Sequence, residues 1–211
     1  MANVDAGPAR ALLRAPAGRR QPTARQRALL ADLETLFLAE GFAHFTLDEL
    51  AGRMRCSKST LYALAPSKEQ LAVKVVSHYF KGAAEQIEAR IAGFDDPREL
   101  IGEYLAGVAE YLNRASTTFM ADIAGFEPAR ATYQRNSRAA AGRIRSFIAK
   151  GVADGAFRDV HASLIAEMAG LLIEGIQTGV IASRTGVSDA EAFTALSELL
   201  LDGLAARQRL R

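Results

Sequence analysis

The 211-residue sequence contains no tryptophan, one cysteine and three histidines. With Cys56 alone the chain cannot form an intramolecular disulfide, which is typical of a protein from a reducing compartment. The histidines His44, His78 and His161 are scattered, without a second ligand at metal-binding spacing. Zinc, phosphate-loop and serine-nucleophile motifs are absent from the sequence. The sequence therefore predicts no metal, no cofactor and no enzymatic activity.

Long apolar runs are missing as well. The most apolar segment, Ala169 to Ala182, is too short to span a bilayer and contains Glu174 and Gln177. The first twenty residues include four arginines, which interrupt any signal-peptide core. We therefore expect a soluble cytoplasmic protein without a membrane partner.

Helical periodicity dominates the remaining pattern. Apolar residues recur at three- and four-residue spacing, and strand-like alternation is missing. Capping boxes at Thr23, Thr46 and Ser188 mark helix starts, and Asp96 followed by proline marks another. The last two helices are expected over about 160–184 and 188–207. The sequence predicts an all-α fold of about nine helices.

Residues 46–68 have the organisation of a helix-turn-helix. One short helix begins at Thr46, and Ser57 then caps a second helix that is too short to be stable unless it packs on its neighbours. This second helix carries Lys58, Thr60 and Tyr62 on one side, where their ammonium and hydroxyl groups suit DNA phosphates and base edges. The pattern predicts a DNA-binding recognition helix.

The charge distribution agrees with this prediction. Residues 1–68 carry ten Arg and Lys against six Asp and Glu, whereas residues 69–211 carry sixteen against eighteen. A basic end of this kind suits a polyanion such as DNA. Residues 1–21 have little patterned hydrophobicity and are expected to form a disordered basic arm. This arm either follows DNA phosphates or is a solvated tail without a role.

Three stretches of this region resemble the TetR family of bacterial transcriptional regulators. They are Ala51, the run from Ser57 to Tyr62, and the run from Pro66 to Leu71. The resemblance extends from Thr23 to about Ile91. It implies a helix-turn-helix domain over 22–68, a connecting fourth helix over 67–92, and an effector-binding and dimerisation domain over 93–211.

The resemblance also implies a function. Such a protein is a homodimeric repressor that binds a palindromic DNA operator and is released by a small apolar or amphipathic effector. Helix 4 would transmit the signal. The alternative is an architectural or adaptor protein of the same fold that binds DNA without an effector.

Matched residue by residue, the family pattern implies two kinds of DNA contact. The positions that approach bases are Ser57, Lys58, Ser59 and Leu64, and those that hold phosphates are Thr46, Thr60, Tyr62 and Lys68. The sequence departs from the family at the corner of the motif, where Arg55 replaces the usual glycine. This substitution predicts a strained left-handed residue, at a cost of about 1 kcal/mol.

The second half of the chain contains aromatic and thioether residues that could line an effector cavity. Polar residues would orient the ligand there. For any single residue, ordinary core packing is the alternative. The candidate pocket residues are Tyr104, Tyr111, Phe119, Met120, Tyr133, Met168, Glu174 and Gln177.

Two long apolar faces on the last two helices predict a subunit interface. The family resemblance implies that these helices pair with those of a second subunit in a four-helix bundle, and an intramolecular core alone is the alternative. A two-fold dimer would place two recognition helices about 34–36 Å apart, one turn of DNA. The candidate interface residues are Leu164, Met168, Leu172, Phe193, Leu196, Leu200 and Leu204.

Overall fold

The computed structural model describes residues 23–157 and 161–204, and these residues form ten α-helices and no strand. The helices are α1 (Ala24–Glu40), α2 (Leu47–Arg53), α3 (Lys58–Tyr62), α4 (Lys68–Ile91), α5 (Pro97–Asn113), α6 (Thr117–Gly125), α7 (Glu127–Ala153), α8 (Ala162–Gln177), α9 (Val180–Thr185) and α10 (Asp189–Leu204). The all-α prediction is confirmed. The helix expected over 160–184 is divided, because Gly179 adopts a left-handed φ of 75° between α8 and α9.

The predicted helix starts are formed by the expected caps. The side chains of Thr23 and Thr46 each accept a hydrogen bond from the third backbone N–H of their helix, and the backbone N–H of each threonine donates to the side chain of that third residue. Ser188 and Glu191 make the same reciprocal pair before α10. Each such cap satisfies two N–H groups that the helix itself cannot pair.

The expected arm over residues 1–21 lies outside the described residues. Among the helices of the described ranges, none is long and apolar enough to cross a membrane.

The buried apolar side chains form two clusters that meet along α4. The head cluster combines α1 to α3 and the first half of α4 with Phe119, Ile123 and Tyr133 from α6 and α7. The body cluster begins at Ile87 and combines the end of α4 with α5, α8, α10 and the second half of α7. Packing therefore joins α6 to the head, although it follows the head by many residues in the sequence.

The corner between α2 and α3 is closed by Arg55. Its φ is 48°, and it is the one non-glycine residue with positive φ in the described part of the chain. The backbone N–H of Cys56 donates across the corner to the carbonyl of Ala51, 2.9 Å away. The strained conformation predicted for Arg55 is thus present.

The turn between α1 and α2, residues 41–46, is held by side chains from two other helices. Lys68 at the start of α4 donates from Nζ to the carbonyls of Ala43 and Phe45, at 2.7 Å and 2.6 Å. Asp122 of α6 accepts from the backbone N–H groups of Phe42 and Ala43, at 2.5 Å and 2.8 Å. Lys68 therefore binds carbonyl groups of this turn, and Asp122 binds its N–H groups.

Gly41 is required at the start of this turn. Its φ of 82° and ψ of −173° lie in a region that is open essentially only to glycine. A Cβ atom there would lie 2.5 Å from Oδ2 of Asp122 and 2.7 Å from Cγ2 of Thr118. Both the backbone conformation of Gly41 and the close contacts around it exclude a residue with a side chain.

We predict that Gly41→Ala lowers the free energy of unfolding by roughly 2–3 kcal/mol, because the added methyl meets backbone strain and a clash. The matched control is Gly52→Ala. Gly52 lies inside α2 with nothing within 4 Å of its added Cβ, so this change should raise the free energy of unfolding by about 0.5–1 kcal/mol. Denaturant unfolding measures both, and two effects of the same sign would contradict the role assigned to Gly41.

Candidate DNA-binding surface and effector cavity

Helix α3 presents a short polar face to solvent. The hydroxyl of Ser57 caps the helix and lies 2.7 Å from the hydroxyl of Ser59 and 2.9 Å from that of Thr60. Tyr62 is 49% exposed at the other end of the helix, whereas Leu61 on the opposite side is buried at 1%. One side of α3 thus packs on the head cluster and the other is free to meet a ligand.

Lys58, the one cation on α3, is held by an acidic residue of α2. Its Nζ lies 2.6 Å from Oδ1 of Asp48, and both side chains are at least half exposed. The hydrogen bond to Asp48 raises the pKa of Lys58 above its usual value. An exposed ion pair of this kind is weak, so a phosphate or a base can displace Asp48.

The other predicted DNA contacts lie in three different environments. Thr46 is exposed as the cap of α2, and Lys68 has one N–H left after its two bonds to the α1–α2 turn. Leu64 differs from the expectation. It is 8% exposed and packs in the head cluster, so it offers no apolar surface to a thymine methyl. Helix α3 ends at Tyr62, and Leu64 faces inward after it.

Two neighbouring cavities lie between α4, α5, α6, α7 and the α8–α10 region, and Tyr133 and Gln177 are in the walls of both. The aromatic cavity has a volume of about 280 Å³. Its walls are formed by Tyr79, Phe80, Ala83, Ala84, Ile87, Glu88, Tyr104, Val108, Tyr111, Leu112, Tyr133, Asn136, Ala139, Ala140, Arg143 and Gln177. The polar cavity, of about 330 Å³, is formed by Met120, Ile123, Ala124, Arg130, Tyr133, Gln134, Gln177, Thr178, Gly179 and Asp189.

Five of the eight predicted pocket residues line these cavities. Tyr104, Tyr111, Tyr133 and Gln177 line the aromatic cavity, and Met120 lines the polar cavity.

The other three predicted pocket residues lie elsewhere. Phe119 is fully buried inside the head cluster, and Met168 is 52% exposed on the surface of α8. Glu174 lines a separate surface hollow between α7 and α8. Gln177 lines this hollow as well, whereas Met168 lies on a different face of α8.

The wall of the aromatic cavity contains two charged side chains, which neutralise each other as an ion pair. Arg143 of α7 donates from Nε and Nη2 to the two carboxylate oxygens of Glu88 on α4, at 2.6 Å and 2.7 Å. The guanidinium also lies 4.7 Å from the ring centre of Phe147. A bidentate pair of this geometry joins α4 to α7 at the cavity wall.

Tyr133 carries an unusual polar group for a buried position. The side chain is 5% exposed, and its hydroxyl is buried without a hydrogen-bond partner among the described residues. Burial raises the pKa of the Tyr133 phenol far above its usual value, so the group stays neutral at physiological pH. Buried hydroxyls normally have a partner, so this hydroxyl is a candidate contact for a ligand in the cavities that Tyr133 lines.

Sequence reasoning missed the contribution of α4 to the aromatic cavity, of which Tyr79, Phe80, Ala83 and Ile87 form one wall. Their helical spacing, which places them on one face of α4, could have indicated this wall. The charged residues Glu88 and Asp189 had no such signal.

The predicted dimer interface divides into an exposed and a buried set. On α10 the four predicted residues are 2–7% exposed and pack in the body cluster, where α10 lies against α5. These four residues are Phe193, Leu196, Leu200 and Leu204. Their burial agrees with the alternative, in which they belong to the core of a single subunit. On α8 the three predicted residues remain exposed: Leu164 at 55%, Met168 at 52% and Leu172 at 39%.

Two further leucines extend the exposed apolar face. Leu171 of α8 and Leu199 of α10 are each 62% exposed. An apolar hollow of about 290 Å³ lies between Leu172 and Leu199. Apolar side chains gathered in this way on a surface mark a contact with another molecule.

No family model and no curated protein matches this sequence. Solved structures do match the fold. A transcriptional regulator from Saccharomonospora viridis, solved in complex with choline, is similar with a TM-score of 0.65 and 20% identity, over 86% of this chain and 97% of that one. A TetR-family regulator from Agrobacterium tumefaciens has a TM-score of 0.63 and 19% identity, over 85% and 97% of the two chains.

A third match is the transcriptional regulator FadR from Bacillus subtilis, solved with stearoyl-CoA. Its TM-score is 0.62 at 12% identity, over 84% of this chain and 98% of that chain. These likenesses span both the head and the body of the molecule. The chain therefore has the fold of TetR-family transcriptional regulators.

We predict opposite stability effects for two tyrosines of the aromatic cavity. Tyr133→Phe removes a buried hydroxyl without a partner and should raise the free energy of unfolding of the ligand-free protein by roughly 1–2 kcal/mol. Tyr79→Phe removes a hydrogen bond to the carbonyl of Tyr111 and should lower it by about 1 kcal/mol. Chemical denaturation compares them, and a loss of stability in Tyr133→Phe would mean that its hydroxyl has a partner in solution.

Proposed function

We propose that the protein is a homodimeric DNA-binding transcriptional regulator that recognises a palindromic operator and is released from it by a small effector. The observation that carries the proposal is the polar, exposed face of α3 on a TetR-like fold, since α3 is the short helix that such a fold offers to DNA.

DNA recognition would use the groups that α3 leaves exposed. Lys58 can donate to O6 or N7 of guanine once Asp48 is displaced, and Ser57 and Ser59 can bind base edges or phosphates. Thr46, Thr60 and Tyr62 are proposed to hold phosphates from both sides of the helix. Lys68 is proposed to hold a phosphate with its remaining N–H, while its other two bonds fix the carbonyls of the α1–α2 turn next to Thr46.

Dimerisation is supported by the exposed apolar face of α8 and α10. Leu164, Met168, Leu171 and Leu199 would be covered by the same face of a second subunit, which is how a two-fold interface is formed. Leu172 lies at the edge of an apolar hollow that a partner side chain can fill. The α10 residues buried in the body cluster would support the interface from behind.

Effector release requires a connection between the cavities and the head, and two helices provide one. Helix α4 lines the aromatic cavity with Tyr79 and Ile87 and holds the α1–α2 turn through Lys68. Helix α6 lines the polar cavity with Ile123 and holds the same turn through Asp122. A ligand that moves either helix would change how the turn is held.

Release by an effector is a matter of differential affinity. The effector must bind the DNA-free conformation more tightly than the DNA-bound one, and operator DNA must weaken effector binding by the same factor. Comparing effector affinity in the presence and absence of operator DNA tests this reciprocity. Equal affinities would separate the ligand site from DNA binding and leave a DNA-binding protein of the architectural or adaptor type.

The first experiment is selection from a random duplex DNA library with the purified protein. We expect an enriched palindrome with half-sites about one helical turn apart. Lys58→Ala should relax the preference at one guanine in each half-site, at a cost of about 1–3 kcal/mol. Lys81→Ala is the control, because it removes the same charge from an exposed position on α4, beyond the head.

Retention of DNA without any enriched motif would contradict the operator proposal and favour the architectural alternative. An unchanged base preference in Lys58→Ala would overturn the assigned role of this residue. Equal losses of DNA affinity in Lys58→Ala and Lys81→Ala would mean that Lys58 contributes only nonspecific charge.

The subunit interface is tested with charge substitutions on its exposed leucines. The double variant Leu172→Glu with Leu199→Glu should be a folded monomer with much weaker operator binding, because two carboxylates would be desolvated at the interface. Leu200→Glu provides the contrast, since this residue is 7% exposed in the body cluster and its substitution should unfold the chain. Light scattering and circular dichroism distinguish the outcomes, and a double variant of dimer mass would rule out this interface.

A further inference from the structure

The charged groups on the walls of the two cavities leave one charge uncompensated. In the aromatic cavity, Arg143 and Glu88 form a bidentate pair. In the polar cavity, Arg130 pairs with Glu127. Asp189, the remaining charged side chain in these walls, makes no hydrogen bond or ion pair with the described residues.

Asp189 is not the capping residue of its own helix. Although it is the first residue of α10, the cap of that helix is made by Ser188 and Glu191. Hydrogen bonds from the Ser188 backbone N–H and hydroxyl lower the pKa of Glu191. The pKa of Asp189 moves the other way, because burial disfavours its charged form. The helix therefore uses one carboxylate as a cap and holds a second against the cavity.

Tyr133, whose buried hydroxyl has no hydrogen-bond partner among the described residues, lines the same cavity. Tyr133 lines both cavities, and Asp189 lines the polar cavity together with it. A phenol hydroxyl both donates and accepts hydrogen bonds, whereas a carboxylate only accepts. A ligand group that carries positive charge and several N–H donors matches both.

We infer that the joined cavities bind an amphipathic organic amine, with its ammonium group between Asp189 and Tyr133 and its apolar body in the aromatic cavity. This inference rests on the proposed function, of which it specifies the effector class. An ammonium donates to the carboxylate and to the phenol oxygen, and it restores the charge balance that Asp189 lacks. The rings of Tyr79, Phe80 and Tyr104 form an apolar wall against which the apolar body of the ligand can pack.

The alternative ligand chemistries fit less well. An anion would meet the Asp189 carboxylate in the wall of the polar cavity. A neutral alcohol could bind Tyr133 but would leave Asp189 without a counter-charge. A quaternary ammonium would balance the charge but has no N–H to donate to either group.

The test compares three probes that share an indole body: tryptamine, tryptophol and indoleacetate. They carry an ammonium, a hydroxyl and a carboxylate. The chain contains no tryptophan, so indole fluorescence anisotropy reports the probe without a background from the protein. We expect tryptamine to bind about tenfold or more tightly than tryptophol, and indoleacetate to bind least, because a charged hydrogen bond in a desolvated site is the stronger one.

Two variants assign the preference to its residues. Asp189→Asn should reduce the advantage of tryptamine over tryptophol to about twofold or less, because it removes the charge and keeps the shape. Tyr133→Phe should weaken tryptamine and tryptophol together. The control Glu198→Gln removes an exposed carboxylate from the same helix, α10, and should change neither affinity. Thermal unfolding verifies that each variant is folded.

Several outcomes would overturn the inference. These are indoleacetate binding as tightly as tryptamine, unchanged tryptamine affinity in Asp189→Asn, or no binding of any probe. The measurement contains no DNA, so its result is independent of operator recognition. Tryptamine that binds through Asp189 but leaves the selected operator complex intact would uphold the site and contradict effector release.

Discussion

The position of the head depends on how the α1–α2 turn is held. The ammonium of Lys68 on α4 binds carbonyl groups of the turn, and the carboxylate of Asp122 on α6 binds its N–H groups. These two side chains thus satisfy backbone groups of a segment that has no regular secondary structure. Ala43 takes part in both contacts. Neither α4 nor α6 can shift along its axis without breaking or moving one of these bonds. The turn therefore connects the orientation of α2 and α3 to α4 and α6, the helices that also line the cavities.

The cavities lie where the two hydrophobic clusters meet. Phe80 belongs to the head cluster and Ile87 to the body cluster, and both are in the wall of the aromatic cavity. Tyr111 packs against both clusters from α5. A cavity in this place borders every helix that links the two parts. A ligand there contacts the head and the body at once, without touching α3.

Local signals in the sequence predicted most of the helices but not their partners. The caps at Thr23 and Thr46 were predictable because each depends on two residues three positions apart, and the strained corner at Arg55 was implied by the family resemblance. The break at Gly179 was missed because a glycine within an apolar run is compatible with a continuous helix. The burial of Leu200 was missed because α10 has apolar residues on two sides, and only packing against α5 decides which one is covered.

The division into two clusters also bears on how the molecule unfolds. Separate hydrophobic clusters can open as separate cooperative units, and the aromatic cavity, lined by Phe80 of one cluster and Ile87 of the other, is a place where dispersion contacts can join them. A molecule that fills this space supplies those contacts to both sides. It would merge two units into one, so that occupancy would be visible in the sharpness of the thermal transition as well as in its midpoint. The cavity would then control the cooperativity of the fold itself.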